Sequence, residues 1–501
     1  MRGGVPGSEE APGRARRRTT ERLLRWSVPL VSVLVAIASQ VLVPRFLQLG
    51  LSEGEYVAYI AVTSVGAYVG LGEGGVLVSL LRELSALHGA GDRAGFAAEV
   101  RRSRRFLVFA ALAGGVIASC FMGSALGAAA RAWPGAHEPR FMLATVACIA
   151  ATMLELFLGS YHTALLFSTG RLVLGQLVGV AVSLVPVTAL VTLLAVRRDL
   201  TLALYGSALA SATVALLRGA HAGRVLAVES FGVEAVAPRT RLFDVVGSGV
   251  ALKLAEVLQT AAYPHLLTVL AAPLVAAAIP ARTLANAARL VTGRFVDVLQ
   301  VHVTRGLAGP SDVREKARRQ YGIVAPFLTS IHVVEVAGIA ALAPTVFELW
   351  LPQHAASVRS FLPGLLAEQA LLAACLPTSI LLMATGHLKL LGLVRIVGVP
   401  VGLGLLPLLL PLAGHAALGL SLAASALPYF FAGLWSELVP LHTTAPPRRE
   451  VALRYAVAAL AAASCAGYER WPLVTVMVVG GAGATTLAWA GPRSIAMLKS
   501  A

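Results

Sequence analysis

At 501 residues, 57% hydrophobic, 13% charged and with a mean hydropathy of +0.77, the chain lies far from soluble averages, which excludes a water-soluble globular or disordered class. Its net charge of +16, from 41 Lys and Arg against 25 Asp and Glu, would fit a nucleic-acid partner in a soluble protein, but here it follows from membrane topology and no nucleic acid is expected. Cys120, Cys148, Cys375 and Cys465 lie far apart in apolar segments with no C-x-x-C, which excludes a disulfide framework and a cysteine metal site.

A basic tail over 1–26 comes first, and its run "RARRR" from Arg14 to Arg18 reads as a cytoplasmic orientation signal within reach of anionic headgroups. Ala36-Ile37-Ala38 imitates a signal-peptide cleavage site, yet the apolar run continues to Val43, so a retained first helix is expected. Apolar stretches long enough to cross a core of about 30 Å then recur along the whole chain. They cover 27–48, 56–80, 106–126, 141–167, 172–196 and 200–222, then 247–270, 275–302, 321–343, 361–384, 388–411 and 415–434, and finally 451–467 and 472–491. Backbone groups in lipid must be satisfied within each segment, and the alternation of barrel strands is absent, so these are helices. The expected class is an all-α polytopic membrane protein with about fourteen transmembrane helices.

With the N-terminus inside, 29 Lys and Arg fall to the inner side and seven to the outer, which places both termini in the cytoplasm. Lysine supplies only four of the 41 basic residues, which with the abundant Ala and Gly points to a GC-rich bacterium and its cytoplasmic (inner) membrane.

An internal repeat organises the spans. "LLFSTGRL" (Leu165 to Leu172) returns as "LLMATGHL" (Leu381 to Leu388), and a shift of about 216 residues also lays "AGDRAGFAAEVRR" on "AGPSDVREKARR". The expected layout is a parallel repeat: an N-lobe of helices 1–6 over 27–226, a C-lobe of helices 7–12 over 227–434, and a linker with two appended helices over 435–501. Lobes of this kind can rock about a midplane site, which points to a transporter. Small residues at Gly66, Gly70 and Gly74, at Gly175 and Gly179, and at Gly398 and Gly402 read as helix-packing faces.

The stretch "LSEGEYVAYIAVTSVGAYVGLGEGGVLVSLLRELSALHGAGD" resembles the start of Wzx-type polysaccharide-biosynthesis flippases. There a second helix ends in an acidic-glycine element followed by an amphipathic cytoplasmic hairpin. "FELWLPQHAASVRSFLPGLLAEQALLAACLPTSILLMATGHLKL" is similar to the same family's ninth-to-eleventh helix region. The resemblance, over most of residues 20 to 434, implies the fold shared by multidrug and toxin (MATE) exporters and lipid II flippases. It also implies a cargo, a polyprenyl-diphosphate-linked oligosaccharide moved from the inner to the outer leaflet, and as partners membrane lipids and other membrane proteins of polysaccharide assembly. In that family the first, second, seventh and eighth helices line the central cavity.

Five basic residues fall inside the expected spans away from their ends: Lys253, Arg282, Arg289, Arg294 and Arg395. A cation at a bilayer centre costs about 2.5–3.5 kcal/mol, so those on the seventh and eighth spans should face protein or a wet cavity. Arg282, Asn286, Arg289 and Asp297 share one helical stripe, with Arg294 off it, and Lys253, Glu256 and Thr260 share a face of the seventh span. Arginine's planar fork suits diphosphate oxygens, so Arg282 and Arg289, assisted by Lys253, Arg294 and Asn286, are the expected substrate-binding residues. Helix-packing pairs are the plainer reading for Lys253 with Glu256 and for Arg294 with Asp297. Carboxylates within spans, Glu73, Glu155, Glu256, Asp297 and Glu335 (His332 one turn before the last), are candidates for ion coupling.

No metal-ligand cluster, nucleophile motif or cofactor fingerprint stands out, so neither an enzyme nor a cofactor is expected. A cation exporter of the same superfamily would want an acidic cavity and often an Asp in the first helix, which "SVPLVSVLVAIASQVLVPRFLQ" lacks. A membrane polymerase or ligase would want a large outer loop. The longest outer connection runs only from Pro344 to Ser360, where Glu348, Trp350 and His354 read as interface anchors.

Overall fold

The computed structural model describes residues 42–73, 76–229, 262–289, 311–385, 387–438 and 448–500, with isolated positions between them. All regular structure among these residues is helical. A helical stretch over 42–50 leads into α1 (Glu53–Tyr68), α2 (Val76–Gly89), α3 (Arg93–Ala132), α4 (Pro139–Leu154), α5 (Ser160–Ser168), α6 (Leu172–Arg197) and α7 (Leu200–Glu229). The second half contains α8 (Tyr263–Leu270), α9 (Ala272–Ala287), α10 (Ser311–Trp350), α11 (Ala355–Ala384), α12 (Leu388–Ala413) and α13 (Ala416–Leu438), followed by α14 (Arg448–Ala466) and α15 (Pro472–Ser500).

The described parts of the expected spans are helical apart from turns at a few positions such as Val69 and Ala288–Arg289, and eight helices among the described residues are long and apolar enough to cross a membrane. The protein is therefore a multi-pass membrane protein. Most of the first span and much of the seventh and eighth lie outside the described residues. The second span is interrupted at Val69, where α1 ends and a turn leads into the short helix Gly70–Glu73; residues 74 and 75 lie outside the described residues, and α2 is described from Val76. Four glycines within 70–75 lower the helix propensity there, although hydropathy runs on unbroken. By contrast α3 and α10 reach 40 residues each, about 60 Å, because hydropathy marks where lipid begins and not where the hydrogen-bond ladder does.

Local chemistry sets the element ends. Ser52 caps α1 through a reciprocal capping box: its hydroxyl accepts from Glu55 N at 3.3 Å, and Ser52 N donates to Glu55 Oε2 at 2.8 Å. The repeated turn closes in the same way both times. Thr169 N donates to Leu165 O and Arg171 N to Leu166 O; Thr385 N donates to Leu381 O and His387 N to Leu382 O. In the first copy Gly170 adopts φ +80°, which a side chain would strain.

Packing centres on α11, whose most apolar 18-residue stretch is 94% buried against α9, α10, α13 and α14. At the other extreme, the same measure for α6 is 11%, so it meets the surrounding lipid along most of its length. Gly364 of α11 and Gly419 of α13 bring two backbones together, since a Cβ on Gly419 would stand 2.5 Å from Phe361 O. Gly398 and Gly402 likewise meet α13, as expected of a packing face, whereas Gly179 borders open space. The final pair joins this body, α15 along α10 and α14 along α11. Trp350 is buried against Phe347, with ring centroids 5.3 Å apart, and is no interface anchor.

Between the halves of the chain, α1 meets α8 and α9, and α3 meets α8. Gln48 Nε2 donates to Ala276 O at 2.7 Å, and Ser124 Oγ lies 3.1 Å from His265 Nε2. Tyr68 stacks on Phe121, and both set their rings against the edge of His265.

Candidate functional site

The three expected substrate residues that are described, Arg282, Asn286 and Arg289, stand on α9 and the turn that ends it, all partly exposed. Their stripe faces α8 and α11. The Arg282 guanidinium lies over the Tyr263 ring of α8 at 5.4 Å, and Asn286 Oδ1 accepts from Gln369 Nε2 of α11 at 3.1 Å. Beside Gln369, the buried Glu368 interacts electrostatically with both Arg282 and Arg289. Neighbours three or four positions away on the same helix hold no acid for these arginines; Glu368 acts on them from another helix, 86 residues beyond Arg282 and 79 beyond Arg289.

The network continues to α10. His332, fully buried, donates through Nε2 to Gln369 O at 3.1 Å, and its Nδ1 stands 3.4 Å from Glu335 Oε2. Glu335 also accepts from Thr292 Oγ1 at 2.7 Å and Thr292 N at 3.3 Å. Glu335 is thus tied to the same polar seam as the arginines. Lys253, Glu256, Arg294 and Asp297 lie outside the described residues, and of Glu73 only its place at the end of the Gly70–Glu73 turn is described.

Glu155 stands apart, in the N-terminal half. A cavity of about 290 Å³ opens between α1, α4, α6 and α7, lined by Tyr59, Thr63, Thr152, Ser207 and Ser211 among others, with Glu155 as its charged residue. Here the helix widens into a π turn, Glu155–Gly159. Across it lies Arg218 of α7, whose side chain is 7% exposed: Nη1 pairs with Glu155 Oε1, Nη2 donates to Gly159 O at 2.6 Å and to Thr163 Oγ1, and Nε donates to His162 Nδ1 at 3.4 Å. His162 Nε2 lies 2.7 Å from His221 Nδ1.

A second buried arginine holds the last helix pair to the body. Arg454 of α14, 2% exposed, pairs with Glu437 of α13, lies 3.2 Å from Thr378 Oγ1 of α11, and spreads over the Tyr455 ring at 5.2 Å. Arg395, expected inside a span, lies over the Tyr429 ring at 4.8 Å.

Arg218 and Arg454, near the ends of the expected spans 200–222 and 451–467 and counted with the inner side, are buried within helices. Sequence reasoning also passed over Glu368, Gln369, His162 and His221. Their signal was present: Glu155 and His162 stand seven apart, Arg218 and His221 three apart, each pair on one helical face. Among the described residues no group of three or more His, Cys, Asp or Glu is placed to hold a metal ion.

No family model matches the chain, and no curated protein does. Solved structures do share its fold. A MATE transporter in complex with MaL6 aligns over 82% of this chain and 94% of its own with a TM-score of 0.61 and 16% identity. The Vibrio cholerae MATE transporter VcmN aligns over 82% and 94% with a TM-score of 0.56 and 15% identity. The lipid II flippase MurJ, in its inward closed conformation, aligns over 94% of this chain and 99% of its own with a TM-score of 0.60 and 9% identity. The fold is that of MATE transporters and MurJ, which excludes none of the cargoes such a fold can carry.

Proposed function

We propose that this protein is a flippase that moves a polyprenyl-diphosphate-linked oligosaccharide from the inner to the outer leaflet of a bacterial cytoplasmic membrane, for cell-surface polysaccharide assembly. The observation that carries this reading is the arginine pair Arg282 and Arg289 of the C-terminal half, set on one face with Asn286 and within electrostatic reach of the buried Glu368. An arriving diphosphate can compete with Glu368 for both guanidinium groups. The likeness to MurJ, a lipid II flippase, supports a lipid-linked cargo. The repeat supports two lobes that rock against each other. The contacts of Gln48, Ser124 and His265 lie toward the helix ends that the charge distribution places outside, as suits lobes closed on that side.

The test is export in a strain lacking its own flippase. Arg282→Ala and Arg289→Ala each remove charge-assisted hydrogen bonds of about 2 kcal/mol, a roughly thirtyfold loss of cargo affinity, and should abolish or sharply reduce surface glycan. Full export by both variants, at wild-type protein levels, retires the reading.

One observation favours a second reading, a cation exporter of the same fold: Glu155 brings a carboxylate to the cavity of the N-terminal half. Efflux of organic cations that is lost on Glu155→Gln and indifferent to Arg282→Ala would select it.

A further inference from the structure

We propose that Glu155, Arg218, His162 and His221 form a site for one proton, with Glu155 as the group that takes it up from the cavity of the N-terminal half. This goes beyond the functional reading above, and its test uses no cargo.

Hydrogen-bond direction limits where a proton can go. A guanidinium can only donate, so His162 Nδ1 accepts from Arg218 Nε and the ring's own proton sits on Nε2. That proton is then donated to His221 Nδ1 at 2.7 Å, which places the His221 proton on Nε2. Both rings are neutral, and each ring nitrogen that could gain a proton already faces an N–H. Arg218 stays protonated throughout. Glu155 alone is left, with 30% of its side chain exposed while its Oε1 is pinned by Arg218.

In the ionised state the cluster has no net charge: one carboxylate, one guanidinium and two neutral imidazoles. Transfer of H⁺ from water in the cavity turns the Glu155 carboxylate into a carboxylic acid and raises the cluster to a single positive charge. A second proton would have to break the Arg218–His162 or the His162–His221 bond beside that uncompensated charge, which limits uptake to one. Protonation also weakens the tie from Arg218 to Glu155 while the ties to Gly159 O and Thr163 Oγ1 remain. The joint affected is the π turn between α4 and α5 where α7 crosses it, so the state of the carboxylate bears on how these helices are held.

The packed elements carry other titratable groups. Helix α3 brings Arg104, which acts on Tyr161, and Glu99 with Arg102 at 3.8 Å. Helix α2 brings Glu83 and His88, and α7 adds Arg224 beyond His221. Tyr59 and Cys148 line the cavity with Glu155.

The experiment is infrared difference spectroscopy of the full-length protein in lipid nanodiscs, titrated from neutral to acidic pH. Wild type should gain a protonated-carboxyl band that Glu155→Gln lacks, and Glu335→Gln, in the other half, should keep it. Arg218→Gln removes the counter-charge and should raise the midpoint of that band by about one pH unit, tenfold in proton affinity. Should that variant not fold, His162→Gln, which loosens Arg218 at Nε, should move the midpoint in the same direction by a smaller step. Identical wild-type and Glu155→Gln spectra, or a midpoint indifferent to Arg218 and His162, would overturn the proposal. Retained glycan export in the Arg282 and Arg289 variants would overturn the cargo and leave this site standing.

Discussion

Arg218 and Arg454 show how a cation is tolerated inside an apolar helix: each is surrounded by acceptors from other helices before it can meet lipid. Removing one member of such a pair leaves the other charged and buried, at a cost of about 3–5 kcal/mol. Arg454→Leu should therefore lower the thermal unfolding temperature and yield of the purified protein, and Arg454→Leu combined with Glu437→Leu should recover much of the loss. Equal stability of the single and double variants would mean that Glu437 does not depend on Arg454. Arg282 and Arg289 differ in kind, since they keep part of their surface exposed with Glu368 as their close acid. Their alanine variants should fold and fail in export, whereas Arg454→Leu should fail to fold well.

Among elements, α11 and α13 approach closest where glycine faces glycine. A Cβ on Gly419 would meet backbone, Phe361 O at 2.5 Å and Gly364 Cα at 3.1 Å, and neither can turn aside as a side-chain tip would. Gly419→Ala should cost about 1–3 kcal/mol through overpacking. Gly179→Ala has open space around it and should be neutral or slightly stabilising through better helix propensity. Thermal unfolding of the two variants side by side checks the contrast; equal loss would mean that the small-residue stripes are interchangeable. The glycine stripes look alike in sequence, and which of them carries a close contact depends on the neighbour each one meets.

For the whole molecule, the contact of Ser124 with His265 joins the two halves of the chain. If transport needs those halves to separate, a cleavable bifunctional thiol reagent across Ser124→Cys and His265→Cys, in a chain freed of its four cysteines, should stop export. Cleaving the reagent should restore it. Unchanged export by the cross-linked protein would exclude opening along this seam.

Sequence alone determined that the chain crosses a membrane many times as helices and that one turn occurs twice with equivalent partners. Hydropathy is a local sum over consecutive residues, and a turn's hydrogen bonds close within five residues, so neither needs the rest of the fold. The stripe of Arg282, Asn286 and Arg289 was legible for the same reason, because helical periodicity is local. Glu368 as their counter-charge, Arg218 between Glu155 and His162, and Arg454 against Glu437 were decided only in the tertiary structure. Each pairs residues from different helices, and helical periodicity says which face a side chain occupies without saying which helix that face will meet.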